Sequence, residues 1–211
     1  MKRKLGILFM ILGACLVASA LILLLGNRSE SEQAGEFSDT VLDAVREVIS
    51  DRTEQREENP TPPAHVDPYD EEEVLRSYEM TVEVINGYGY IGYLSIPAIE
   101  LELPVMEDWD YTRLKIAPCR QMGSTKSDDI VIAGHNFDRH FGRLSKLKPG
   151  DSAFFTDMDG ETIEYAVVSV EILGATDVDR LLEEGWDMTL YTCTYGGRNR
   201  VIVRLVRKNV G

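Results

Sequence analysis

Residues 5 to 26, "LGILFMILGACLVASALILLLG", form an unbroken run of 22 residues without a charge. An apolar stretch of that length has few fates in water. As a helix it spans about 33 Å, enough to cross the hydrocarbon core of a bilayer with some tilt. Lys2, Arg3 and Lys4 precede it. A basic flank on one side predicts that the N-terminus stays in the cytoplasm and that everything after residue 26 lies outside. A cleaved signal peptide has a shorter apolar region of about 7–15 residues, followed by a small-residue cleavage site. Here the run is longer and exits into "GNRSESEQ", so the reading is an uncleaved, single-pass signal-anchor.

The charge of the exported part excludes one class of partner. The whole chain carries −14, and without the three basic residues of the cytoplasmic tail the remainder carries −17. Nucleic acid is not expected as a partner, because phosphate binding needs basic patches. Of the three cysteines, Cys15 lies in the apolar run, while Cys119 and Cys193 lie beyond it. Outside the cell those two could pair as a disulfide. A chain of this size needs no staple to bury a core, so a thiol left free there reads as a thiol that is used. Cys119, beside a proline in "KIAPCRQMG", reads as a small buried residue.

The pattern divides the chain into a tail (1–4), the signal-anchor (5–26), an extracellular linker and stalk (27–75) and a folded β domain (76–211). Residues 27–35 are polar and read as linker. Val41, Leu42, Val45, Val48 and Ile49 then recur at helical spacing, predicting an amphipathic stalk helix. "PTPPAHVDP" ends it, since prolines lack donors and fix φ, and reads as an extended connector. "YDEEEVLRSYEMT" predicts a short helix. From about residue 88 the pattern turns to strands: "YGYIGYLSIPAIELELPVM", "DDIVIAG", a hairpin through "DMDG", and finally "MTLYTC" and "RVIVRLVR". "TDVDRLLEEG" predicts one short helix, capped by Thr176 or Asp177 and stopped by Gly185. The expectation is a mostly β, largely antiparallel barrel with short helices.

The candidate chemistry sits at the ends of those strands. If residues 194–199 form a hairpin loop, Cys193 faces Arg200, with Cβ atoms about 4.5–5.5 Å apart on one face. A guanidinium there could stabilise a thiolate or a developing oxyanion. A four-residue loop would bring Arg198 opposite Cys193 instead. Arg204 shares Arg200's face but lies about 13 Å along the strand, too far to join it. The plain alternative is that these arginines are solvent-facing charge. A cysteine nucleophile wants a proton carrier, most often histidine. His65 lies in the proline connector, His135 follows a strand and a glycine, and His140 lies in a loop or helical turn.

Three motifs in order give a resemblance. "TLYTC" (189–193) matches the TLxTC signature of sortases, membrane-anchored cysteine transpeptidases of Gram-positive bacteria. "VIAGHN" (131–136) resembles the segment carrying their catalytic histidine. "RVIVR" (200–204) resembles the strand opening with their catalytic arginine. The resemblance covers roughly residues 88–207 and selects His135 over His140 and Arg200 over Arg198. It implies an eight-stranded β-barrel and a mechanism. Cys193 attacks a backbone carbonyl in an LPxTG-like sorting signal of a surface protein, giving a thioacyl intermediate. An amine from a cell-wall precursor or a pilin lysine resolves it. His135 moves the proton, Arg200 holds the oxyanion, and Thr192 contacts substrate. No cofactor and no metal are called for. "ATDVDRLLEEGWD" (175–187) would wall the substrate groove. "VDPY" (66–69) resembles the lid of pilus-assembling sortases, giving Asp67, Pro68 and Tyr69 a lid role. Against that class, "TYGG" replaces its usual Thr-Pro-Tyr-Gly run, and the sequence closes on "RLVRKNVG", where such enzymes commonly carry a second membrane segment. Two other classes compete: a hydrolytic cysteine peptidase on the same residues, and a non-catalytic cell-surface binding domain.

Overall fold

A computed structural model describes residues 2–59 and 69–208. One helix, α1 (Lys2–Glu58), carries the whole N-terminal portion. Its apolar part has a mean hydropathy of 2.6 and is 0% buried, so it is long and apolar enough to cross a membrane. The polar stretch 27–35, expected as a linker, is part of the same helix. It has no proline or paired glycine to stop it, and a polar composition alone does not break an α-helix.

The remainder is a β-barrel. Its strands are β1 (Glu83–Ile85), β2 (Tyr88–Ile96), β3 (Leu101–Met106), β4 (Cys119–Met122), β5 (Ile130–Ala133), β6 (Ser152–Asp157), β7 (Thr162–Gly174), β8 (Met188–Cys193) and β9 (Asn199–Arg207). The order runs β2-β3-β4-β5-β8-β9-β7-β6, and β6 pairs back onto β2. That closes a ring of eight strands, as expected, with β1 added as a short hairpin arm on β2. Closure matters because it leaves no long unpaired edge. Period-2 alternation sorts the side chains: Leu94, Leu103, Ile130, Ile132, Leu190 and Val203 fill the interior. Two short helices lie where the pattern placed them. Helix α2 (Glu71–Ser77) is capped by Asp70, whose carboxylate accepts from the amides of Glu72 and Glu73. Helix α3 (Val178–Leu181) sits in the β7–β8 connection.

The stalk helix is not a free stalk. Val41, Val45 and Ile49 of α1 pack with Tyr90, Met106 and Cys119 on the outer face of β2–β4, forming a second core. Arg46–Glu102 at 2.7 Å and Arg52–Glu83 at 2.8 Å flank that seam. The predicted apolar stripe is real; what covers it is the barrel.

Candidate active site

The site is built by register. Strands β5 and β8 run parallel, with Ile130 level with Met188 and Ala133 level with Tyr191. The Gly134 amide continues the ladder by donating to the Tyr191 carbonyl at 3.0 Å. His135 follows two residues after the last paired residue of β5, and Cys193 two residues after its partner on β8. Strands β8 and β9 pair antiparallel with Cys193 directly opposite Arg200. Loop 194–199 therefore has the longer of the two lengths considered, and Arg198 lies within it. Since Met188 and Leu190 point into the barrel, Cys193, five and three residues further on and so on the opposite phase, points outward with Tyr191 and Thr189. Cys193 and Arg200 thus share one end of the outer face, and the segment carrying His135 leaves β5 beside the same end of β8.

Glycine 134 makes the turn to His135 feasible. A Cβ there would lie 2.4 Å from the Phe141 ring, so any side chain would push the histidine loop off the barrel. The same residue's carbonyl accepts from the Thr192 hydroxyl at 2.8 Å. Thr192 was expected at the substrate. Strand alternation instead turns it away from Cys193, buries it and commits its hydroxyl to the histidine strand. Its place suits holding the two strand ends together. Asn136 adds a second tie, its side-chain amide donating to the Thr194 carbonyl at 3.5 Å.

His135 is half-buried and stacks on Phe137, with ring centroids 3.8 Å apart and planes 22° from parallel. Burial lowers its pKa, and nearby Lys115 pushes the same way, while Glu30 and Asn136 act in the opposite sense. The ring therefore favours its neutral form. Cys193 is a free, half-buried thiol, and Cys119 is free and fully buried, so no disulfide joins them. Burial pushes the Cys119 thiol up to about 12, which makes it a poor nucleophile. Arg200 donates to the carbonyls of Gly197 at 3.1 Å and Asn199 at 3.2 Å. Both are neutral acceptors, and among the described residues no carboxylate forms an ion pair with it.

Tyr191 was not singled out by the sequence reading, although period 2 puts it on the face of Cys193. Its hydroxyl donates to Gln121 Oε1, and burial raises its pKa to about 12. Arg204, too far along the strand to join Cys193, is not the solvent-facing charge of the alternative reading: it is 1% exposed. It donates to Thr189 Oγ1 and to the Leu181 carbonyl, both at 2.9 Å, and lies under Trp186. It holds down segment 175–187. His140 is buried against α1. Asp67 and Pro68 of the proposed lid, and His65, lie outside the described residues; Tyr69 is exposed. Among the described residues no group of His, Cys, Asp or Glu side chains is arranged to hold a metal ion.

Comparison with known proteins places the chain among relatives of one family. A family model described as "Sortase domain" matches residues 94–208. Sortase A of Bacillus anthracis is 31% identical over 109 residues, covering 49% of this chain and 51% of that protein. The chain thus spans about half the length of the curated relative it matches. Sortase C1 of Streptococcus agalactiae superimposes with a TM-score of 0.55 at 26% identity, over 82% of this chain and 98% of that one. Sortase C of Streptococcus pneumoniae, a structure described for catalysis and pilin substrate specificity, gives 0.52 at 25% identity over 84% and 97%.

Proposed function

The chain belongs to the sortase family, and we propose that it is a membrane-anchored cysteine transpeptidase acting outside the cell on surface proteins that carry an LPxTG-like sorting signal. The observation that supports this reading is the register that sets Cys193 opposite Arg200 and ends β5, two residues before His135, beside the same end of β8.

In the proposed reaction the Cys193 Sγ attacks the carbonyl carbon of the scissile peptide. Its proton passes to His135, whose depressed pKa suits accepting and then releasing it near neutral pH. Arg200 rotates from its loop carbonyls to the developing oxyanion. Collapse breaks the C–N bond, His135 protonates the departing amine, and a thioester remains on Cys193. An amine from a cell-wall precursor or a pilin lysine then attacks the thioester. His135 takes its proton, a new amide forms, and the thiol is regenerated. Thr192 keeps the two strand ends in register throughout.

The test is product analysis of the full chain with an LPxTG-like peptide, with and without an added amine such as triglycine. A transpeptidase yields a ligated product whose formation depends on amine concentration. Hydrolysis unaffected by amine would instead identify a peptidase. No cleavage of any sorting-signal peptide, with a freely alkylated Cys193, would favour a binding domain.

A further inference from the structure

Beyond the three residues of the proposed reaction, the structure joins the catalytic histidine to α1 through an unbroken line of contacts. Ser38, fully buried on α1, donates its hydroxyl to the Ile116 carbonyl at 2.6 Å. With that proton used, its oxygen can only accept from His140 Nε2, which lies 3.2 Å away. The contact fixes His140 as the Nε2–H tautomer. The His140 ring packs tilted against Phe137, with centroids 5.7 Å apart. Phe137 is 5% exposed and stacks on His135 at 3.8 Å. Alongside runs a second link: Asp39 of α1 pairs with Arg139, two residues from Phe137. Ala34 and Phe37 of α1 line a cleft of about 320 Å³ together with Ile116 and Phe137. The back of the histidine loop is therefore formed by the membrane helix itself.

We infer that residues 30–39 of α1 are a positioning element of the active site, and that Ser38, His140 and Phe137 are positioning residues that set the orientation and surroundings of the His135 ring. The inference rests on the transpeptidase reading for its kinetic consequence, though its structural part does not. The charged groups acting on His135 fit the same picture: Lys115 comes from the β3–β4 connection and Glu30 from α1. Glu30 opposes the effect of burial, so the helix contributes charge as well as packing. Because α1 continues without a break from the apolar run to Ser38, the pose of the proton carrier is tied to the helix in the bilayer. Soluble fragments that begin after residue 39 would lose both links.

The experiment uses the full chain in nanodiscs, comparing wild type with Ser38→Ala, Ser38→Thr and Phe137→Leu. Two quantities are read: kcat and KM for peptide-to-amine transfer, and the His135 titration midpoint by NMR, assigned with His135→Asn. Phe137→Leu keeps apolar volume but removes the stacked ring. It should lower kcat about tenfold with KM unchanged, as a misplaced proton carrier does. Its titration midpoint should move up toward about 6.5 as water reaches the imidazole. Ser38→Ala should do the same to a smaller degree, and Ser38→Thr, which keeps the hydroxyl, should restore wild-type values. Wild-type kcat with an unmoved midpoint in both disruptive variants would overturn the inference. So would a fall in kcat that tracks only the unfolded fraction. The titration needs no substrate, so if wild type transfers no peptide the function reading fails while the midpoint still decides the role of α1.

Discussion

Two arginines lie on the same face of β9, four residues apart, and have opposite fates. Arg200 faces Cys193 across the ribbon; Arg204 faces Thr189. Both are thus opposite a small polar or sulfur-bearing residue of β8. Yet Arg200 is half-exposed and bonded only to loop carbonyls, while Arg204 is sealed under segment 175–187, with Trp186 over it. The difference comes from what lies above the sheet. A buried guanidinium persists only when most of its donors are met; Thr189 and the Leu181 and Arg180 carbonyls accept from its two terminal nitrogens, while its Nε has no partner among the described residues. An exposed one with no carboxylate partner keeps its charge available. In the proposed reaction the two ends of one ribbon separate stability from chemistry.

The comparison can be broken by substitution. Cys193→Ala should abolish transfer, by at least about 10³-fold, with an unchanged thermal midpoint. A melting shift as large as that of a core mutant would mean the thiol is structural. Arg200→Met should cost about 10²–10³-fold in kcat as the oxyanion loses its cation, while stability stays within about 0.5 kcal/mol. Arg204→Met should do the reverse. Denaturant unfolding should show a loss of about 2–3 kcal/mol from unmet carbonyl and hydroxyl groups, with turnover per folded molecule falling far less than for Arg200→Met. Equal activity losses in the two variants would erase the distinction.

Acid sharpens the picture at the α1 seam. Burial holds His140 neutral with a pKa of about 4 in the folded protein, against about 6.5 unfolded. Between those values the unfolded chain binds the extra proton. Stability should therefore be full above pH 6.5 and fall by about 3 kcal/mol as pH drops toward 4. His140→Gln should flatten that slope in urea titrations taken across the range. The smallest effect belongs to Thr192→Val, whose lost bond to Gly134 should cost about 1 kcal/mol, visible as a lowered denaturation midpoint.

Much of this was legible before the fold. Cys193 opposite Arg200 followed from one hairpin and strand alternation, with the family motifs choosing between Arg198 and Arg200. A strand ending in glycine marked His135 as a candidate, and only the resemblance of "VIAGHN" chose it over His140. Alternation also bore on Thr192, and applying it strictly would have turned that side chain inward. Other features needed the third dimension. The burial of Arg204 depends on a connection folding back over the sheet, and nothing near "RVIVRLVR" encodes that. The apolar stripe of α1 signalled that something covers it but not what, so docking on the barrel was invisible. His140 read as a loop residue because its partner, Ser38, lies 102 positions away. Phe137, two residues past His135, was the nearest available clue to that link.

The most direct test of the account is the mass of the Cys193-bearing peptide after the full chain meets an LPxTG-like sorting peptide without amine. The account predicts an adduct equal to the acyl half of the peptide, discharged when triglycine is added. Peptide cleavage that leaves Cys193 unmodified throughout, or that proceeds equally in Cys193→Ala, would contradict it.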